Sequence, residues 1–260
     1  MSSRLDPLAR IGALRPELVT AVRASAAGGA RAVVDPLAAL DDNFDAGEAD
    51  VELRGWTWYG EGSVTSQAIA AGELGLTIDH GGDGVLNGGS FWFNATDGCL
   101  LHKAVTGDAD VRARVRVRNT ADDGLPAPSQ FRIAGLAAHD PDRATNLDYV
   151  HIGAGSTNQT GNRIEWKTTV ASVSTFGDNG VDVAPLDVDL RLVRVGQSFV
   201  GSWRPSAGDL GSDDGWLALP EMDRTAAPLP DTLQWGLVLY SNAFGPDIRV
   251  FVDAVRFRSQ

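Results

Sequence analysis

The segment Val111-Arg112-Ala113-Arg114-Val115-Arg116-Val117-Arg118 alternates apolar and basic residues without a break. In a β-strand successive side chains point to opposite faces. Val111, Ala113, Val115 and Val117 therefore form one face, which needs a core. The four arginines form the other, which needs water or carboxylates. Residues 186–192 have the complementary form: Val188, Leu190 and Leu192 share one face, and Asp187, Asp189 and Arg191 the other. If the two strands are neighbours, cross-strand Arg–Asp pairs contribute ~0.2–1 kcal/mol each. An anion site is the sharper reading of the arginine row, and solvated charge balance is the plainer one.

The same texture extends outward from these strands. Twelve short strand-like segments, from residues 52–59 to 248–257, are separated by Gly, Asp, Asn and Pro clusters. No helical period runs between them. This pattern predicts an all-β antiparallel sandwich or barrel. Residues 1–40 differ: they are rich in Ala, Arg and Leu and lack Trp, Phe and Tyr. Pro16 and Glu17 suit a helix start, Leu18, Val19 and Val22 form a narrow apolar stripe, and Gly28-Gly29 is a stop. The expected organisation is a short α-helical docking arm over 1–40, followed by one β domain over 41–260. Such a helix is too short to be stable alone. Residues 8–27 would contact a protein partner or the chain's own subunits.

Composition limits the function. The 22 basic and 34 acidic side chains give a net charge of −12. That balance argues against nucleic acid, whose binding needs a basic face, and against anionic lipid. One cysteine, Cys99, excludes an internal disulfide framework and a cysteine-rich zinc site. No apolar run is long enough to serve as a secretory or membrane-spanning segment. The expected setting is the cytoplasm or an assembled particle such as a virion.

The order of segments resembles a concanavalin A-like jelly-roll module of the lectin, glucanase and laminin G type. Asp41-Asp42-Asn43-Phe44-Asp45 through Trp56-Thr57-Trp58 resembles its opening, and Gly72-Glu73-Leu74-Gly75-Leu76 its second strand. Thr106-Gly107-Asp108-Ala109-Asp110-Val111 resembles its "Gly-Asp-apolar" turn. Ala134-Gly135-Leu136 with Asn146-Leu147-Asp148-Tyr149, Leu190-Arg191-Leu192-Val193-Arg194-Val195-Gly196, and Val252-Asp253-Ala254-Val255-Arg256-Phe257 resemble later strands. The likeness spans residues 41–260 and includes accessory domains of bacterial glycosidases. It implies two curved antiparallel sheets and a glycan-binding or structural role. It does not imply catalysis.

Several constellations are candidates for chemistry. Glu48, Asp50 and Glu52 have the spacing Glu-x-Asp-x-Glu, which in a strand places three carboxylates on one face. Retaining glycosidases of this fold resemble that arrangement, which needs two carboxyl groups about 5–5.5 Å apart. The plainer reading is an acidic, solvated entry to the first strand. The histidines His80, His102, His139 and His151 have no metal-ligand spacing, and His102 and His151 read as satisfied structural residues in strands. Cys99 reads as a buried thiol. Hard oxygen ligands at Asp122, Asp123, Asp178 and Asp213 are candidates for a structural calcium ion, although Asp/Asn-Gly sequences also serve ordinary turns. No cofactor is required. Trp92 and Trp216, with Asp213 and Asp214, are the candidate ligand-binding residues.

These features favour a non-catalytic recognition or structural module of a larger assembly. Such a module would bind glycan or cell-surface polysaccharide, act in adhesion, or form a phage decoration or tail component. The alternatives are a glycoside hydrolase acting through Glu48, Asp50 and Glu52, and an intracellular homo-oligomer assembled through the N-terminal segment.

Overall fold

The protein is described by a computed structural model covering residues 34–45, 47–59, 64–78, 99–127, 131–142, 147–157, 162–179, 187–241 and 248–260. The helical arm expected over residues 8–27, the strand read at residues 90–93, Trp92 and His80 lie outside the described residues. Residues 36–260 form one compact unit, which begins with a 3-10 turn, Pro36–Leu40.

Among the described residues fourteen strands follow: β1 (Thr57–Tyr59), β2 (Val64–Ala70), β3 (Glu73–Ile78), β4 (Cys99–Thr106), β5 (Ala109–Asn119), β6 (Arg132–His139), β7 (Tyr149–Ser156), β8 (Arg163–Val170), β9 (Val173–Asp178), β10 (Asp187–Val195), β11 (Ser198–Pro205), β12 (Leu217–Asp223), β13 (Thr232–Ser241) and β14 (Ile248–Ser259). They form two seven-stranded sheets. The first has the order β1-β4-β13-β6-β7-β8-β9 and the second β12-β11-β10-β5-β14-β3-β2. Every pairing within them is antiparallel.

The alternating strand β5 lies at the centre of the second sheet. β5 pairs with β10 on one side and β14 on the other, with Asp187 opposite Arg116, Asp189 opposite Arg114 and Arg191 opposite Arg112. Val111, Ala113, Val115 and Val117 point inward, and all are buried. They meet Leu101, Leu136, Ile152 and Leu237 of the first sheet in one core. Burial of side chains this size is worth ~1.5–3 kcal/mol each, so this alternating pattern supplies the main drive for the sandwich.

Three strands, β2, β9 and β12, are not apparent in the sequence pattern. All three are sheet edges with largely exposed side chains, so they carry little apolar alternation. Residues 51–55 form a turn where a strand was expected, closed by Arg54 N–H to Val51 O (3.1 Å) and Gly55 N–H to Glu52 O (2.9 Å). β1 is correspondingly short. Two tight hairpins differ in their turn chemistry. Ala71-Gly72 joins β2 to β3 with a glycine at φ 78°. Ala171-Ser172 joins β8 to β9 with both residues at positive φ (47° and 66°) and no glycine, an arrangement that L-residues disfavour.

Candidate functional site

The entry to the domain is fixed by Asp42. Its carboxylate accepts hydrogen bonds from the Arg54 guanidinium (2.5 Å), the Trp56 indole N–H (2.9 Å) and the Phe44 backbone N–H (2.8 Å). Burial raises the Asp42 pKa, but these donors outweigh it and hold the group below its ordinary value. Lys103 closes the same corner, with its ammonium 4.6 Å from the centre of the Trp56 ring and donating to Leu40 O. Beyond this hub Glu48, Asp50 and Glu52 are exposed, while Val51 between them is buried in the core.

Glu48, Asp50 and Glu52 are on a loop, not on a strand face. Glu48 accepts from Asp50 N–H (3.1 Å) and Asp50 from Glu52 N–H (2.9 Å), so two of the three carboxylates shape the loop itself. With Ala49, Trp58 and Gln67 they line an open depression of about 610 Å³. Trp58 belongs to β1, the edge of the first sheet, and Gln67 to β2, the edge of the second. One side of Trp58 packs on the core. The depression combines an aromatic side chain with an amide and three exposed carboxylates, a lining suited to a polar ligand with an apolar face.

The outer face of the second sheet is occupied by its own network. Arg114 and Arg204 both donate to Asp189, at 2.8 and 3.0 Å, and Asp189 is fully buried. Arg112 pairs with Asp110 (2.6 Å) and with Asp213, and Arg191 also reaches Asp110 (2.8 Å). Arg112 and Arg204 donate further to the carbonyls of Asp209, Gly211, Ser212 and Asp214. These bonds hold the loop 206–216 against the sheet. Trp216 lies under that loop. The Arg204 guanidinium sits 4.3 Å from the centre of its ring, and its indole N–H donates to Ser212 O. The structure thus places Trp216 and Asp213 within an arginine-held cap and Asp214 on the same loop.

The carboxylates considered for calcium lie in separate surroundings. Asp122 accepts from Gly124 N–H, Asp123 pairs with Arg249 (2.9 Å), Asp178 with Arg163 (3.2 Å) and Asp213 with Arg112. Among the described residues no three His, Cys, Asp or Glu side chains converge as a metal site.

The outer face of the first sheet holds a group that the sequence reading did not assemble. His102 (β4), His139 (β6), His151 (β7), Glu165 and Lys167 (β8), Tyr149 (β7) and Tyr240 (β13) all point away from the core on neighbouring strands. They lie among the apolar residues Leu100, Ile133, Ala137 and Val238 and are buried. Tyr240 O–H donates to Glu165 Oε1 (2.6 Å), and His151 Nε2 is 3.5 Å from the same oxygen. The Lys167 ammonium lies 5.1 Å from the centre of both tyrosine rings. Desolvation dominates every shift here. It pushes the Glu165 carboxyl up to about 8 and Lys167 well down, with each offsetting the other's shift in part. It pushes both tyrosines up. Contrary to the expectation of satisfied histidines, His102 Nδ1 and both ring nitrogens of His151 have no hydrogen-bond partner. Cys99 is buried at the start of β4, as read.

No family model matches the chain, and no curated protein matches it. Solved structures do match. A functionally unknown protein from Saccharomyces cerevisiae superposes with a TM-score of 0.56 at 14% identity, over 79% of this chain and 96% of that one. This likeness and the two antiparallel seven-stranded sheets show a jelly-roll fold. A GH43 protein from Bacillus licheniformis matches the jelly roll with a TM-score of 0.57 at 12% identity, over 85% of this chain. A xylan beta-1,4-xylosidase from Bacillus halodurans matches it at 0.54 and 13%, over 84%. The chain spans 39% of each of these two Bacillus chains. At such identities the likeness establishes the fold. Among the described residues no helix is long and apolar enough to cross a membrane.

Proposed function

We propose that this jelly roll is a non-catalytic carbohydrate-recognition module whose ligand sits in the depression between β1 and β2. The observation that carries this reading is the union of Trp58, Gln67, Glu48, Asp50 and Glu52 in one open depression formed by the edge strands of both sheets. A sugar ring presents an apolar face for the indole and hydroxyl donors for carboxylate and amide oxygens. The non-catalytic part of the reading draws on the loop setting of the three carboxylates. Partial coverage of two glycosidase-type chains supports a module that acts beside other domains. A place in a larger particle, including a virion, belongs to the same proposal.

Calorimetric titration with a panel of neutral oligosaccharides tests it. Trp58→Ala should weaken binding at least tenfold, and Gln67→Ala less. Wild-type protein should release no reducing sugar, and Glu52→Gln should not alter that. Failure of the wild type to bind any glycan sinks the recognition reading. Sugar release that depends on Glu52 restores the hydrolase reading.

A further inference from the structure

All three histidines among the described residues lie on one face of one sheet. His102 on β4, His139 at the end of β6 and His151 on β7 are 7%, 1% and 0% exposed. Neutral imidazoles can be buried at modest cost, but imidazolium ions cannot. The surroundings of each ring set how a new charge is received. His102 faces His139, so two protonated rings repel. His139 bonds to Gln234 of β13 (2.8 Å), meets the Tyr59 ring of β1 in a tilted contact at 5.2 Å, and has Asp140 and Asp148 on its flank. His151 lies between Tyr149 and Tyr240, faces Lys167 and Glu165 of β8, and has no hydrogen-bond partner at either nitrogen. Asp178 of β9 lies beyond Glu165 and is engaged by Arg163.

We propose that His102, His139 and His151 make this face an acid-sensitive element: it stays closed while the rings are neutral and opens as they take up protons. Opening would expose the apolar group of Leu100, Ile133, Ala137 and Val238, together with Tyr149 and Tyr240. The sign follows from linkage. Desolvation lowers all three histidines, His102 to about 4, from an ordinary value of 6.5. Between those limits an open or unfolded chain binds more protons than the closed one. The stabilisation is present above pH 6.5 and is lost as the pH falls through that window. Lys167, also lowered, acts in the same direction. Glu165, raised, acts in the opposite direction by one proton. Three histidines outnumber the one opposing carboxyl, so the closed state weakens as the pH falls.

Amide hydrogen exchange on the full chain at pH 7.5 and pH 5, corrected for the intrinsic rate, reads this directly. Protection in β4, β6 and β7 should fall at least tenfold at pH 5, while β5, β10 and β14 keep theirs. The variant His102→Gln/His139→Gln/His151→Gln should lose that pH dependence. Equal loss in both sheets, no loss in either, or a variant that still opens at pH 5 overturns the proposal. Should the triple variant fail to fold, proton titration of the wild-type imidazoles replaces it. His102, lowered to about 4, is expected to remain neutral at pH 6, and its titration near 6.5 overturns the proposal.

Discussion

The outer faces of the two sheets answer the same problem in opposite ways. On the second sheet, four arginines on one strand meet carboxylates on the same and adjacent strands, and the charges remain. Asp189, with no exposed surface, is surrounded by Arg114, Arg204 and the Ser206 hydroxyl. On the first sheet, the titratable groups lie in an apolar layer and desolvation pushes them toward their neutral forms. Glu165 has a tyrosine hydroxyl at one oxygen and no hydrogen-bond partner at the other. Charge can be buried where a rigid partner is built in. Otherwise the group gives up its charge.

The comparison breaks if either face fails its own test. The largest effect is expected at Arg112, which joins Asp110 to the loop 206–216. Arg112→Ala leaves Asp110 with fewer counter-charges and frees the loop. It should cost about 4 kcal/mol of unfolding free energy in chemical denaturation. A loss below about 1 kcal/mol would show that the network contributes little. Replacing a carboxylate by its amide separates the two faces more sharply. Asp189→Asn removes a charge that two guanidiniums need, with an expected loss of about 3 kcal/mol. Glu165→Gln at neutral pH replaces a carboxyl that burial keeps largely protonated, so the shape and the Tyr240 bond survive. Its expected cost is below about 1 kcal/mol. Equal costs for the two amides would erase the distinction between the faces. The smallest effect belongs to the β8–β9 hairpin at the border of the first sheet. Ala171→Gly relieves a positive φ and should raise stability by about 0.5–1 kcal/mol, read as a higher Tm. A lower Tm would show that the side chain, not the backbone, matters at that turn.

The two faces also differ in how far the sequence exposes them. The arginine face is written in a single strand. Alternation fixes which side chains share a side, and Asp187 and Asp189 supply partners in a strand of the same pattern. Pairing of β5 with β10 follows from that complementarity. The histidine face is spread over five strands whose sequence order says nothing of their neighbourhood. His102 and His151 are 49 positions apart, read from their numbers as 151 − 102, and β13 and β6 lie between their strands. Glu165 and Lys167 look like an ordinary solvated pair in Arg-Ile-Glu-Trp-Lys, and only burial alters them. The depression shows a mixed case. Its Glu-x-Asp-x-Glu spacing is visible, but the strand expected there is a turn, because Asp42 holds Arg54 and Trp56 and bends the chain before β1.

The sequence by itself determined that this protein is an antiparallel β structure, sandwich or barrel, with one strongly charged strand face, because period-two alternation is a local property that burial must respect. Only the tertiary structure decided which loop residues meet Trp58, that Trp216 lies under arginines, and that three histidines share one dry face. Those facts depend on strand order and on what excludes water. Desolvation is a property of the assembled sheet, and no single segment carries it.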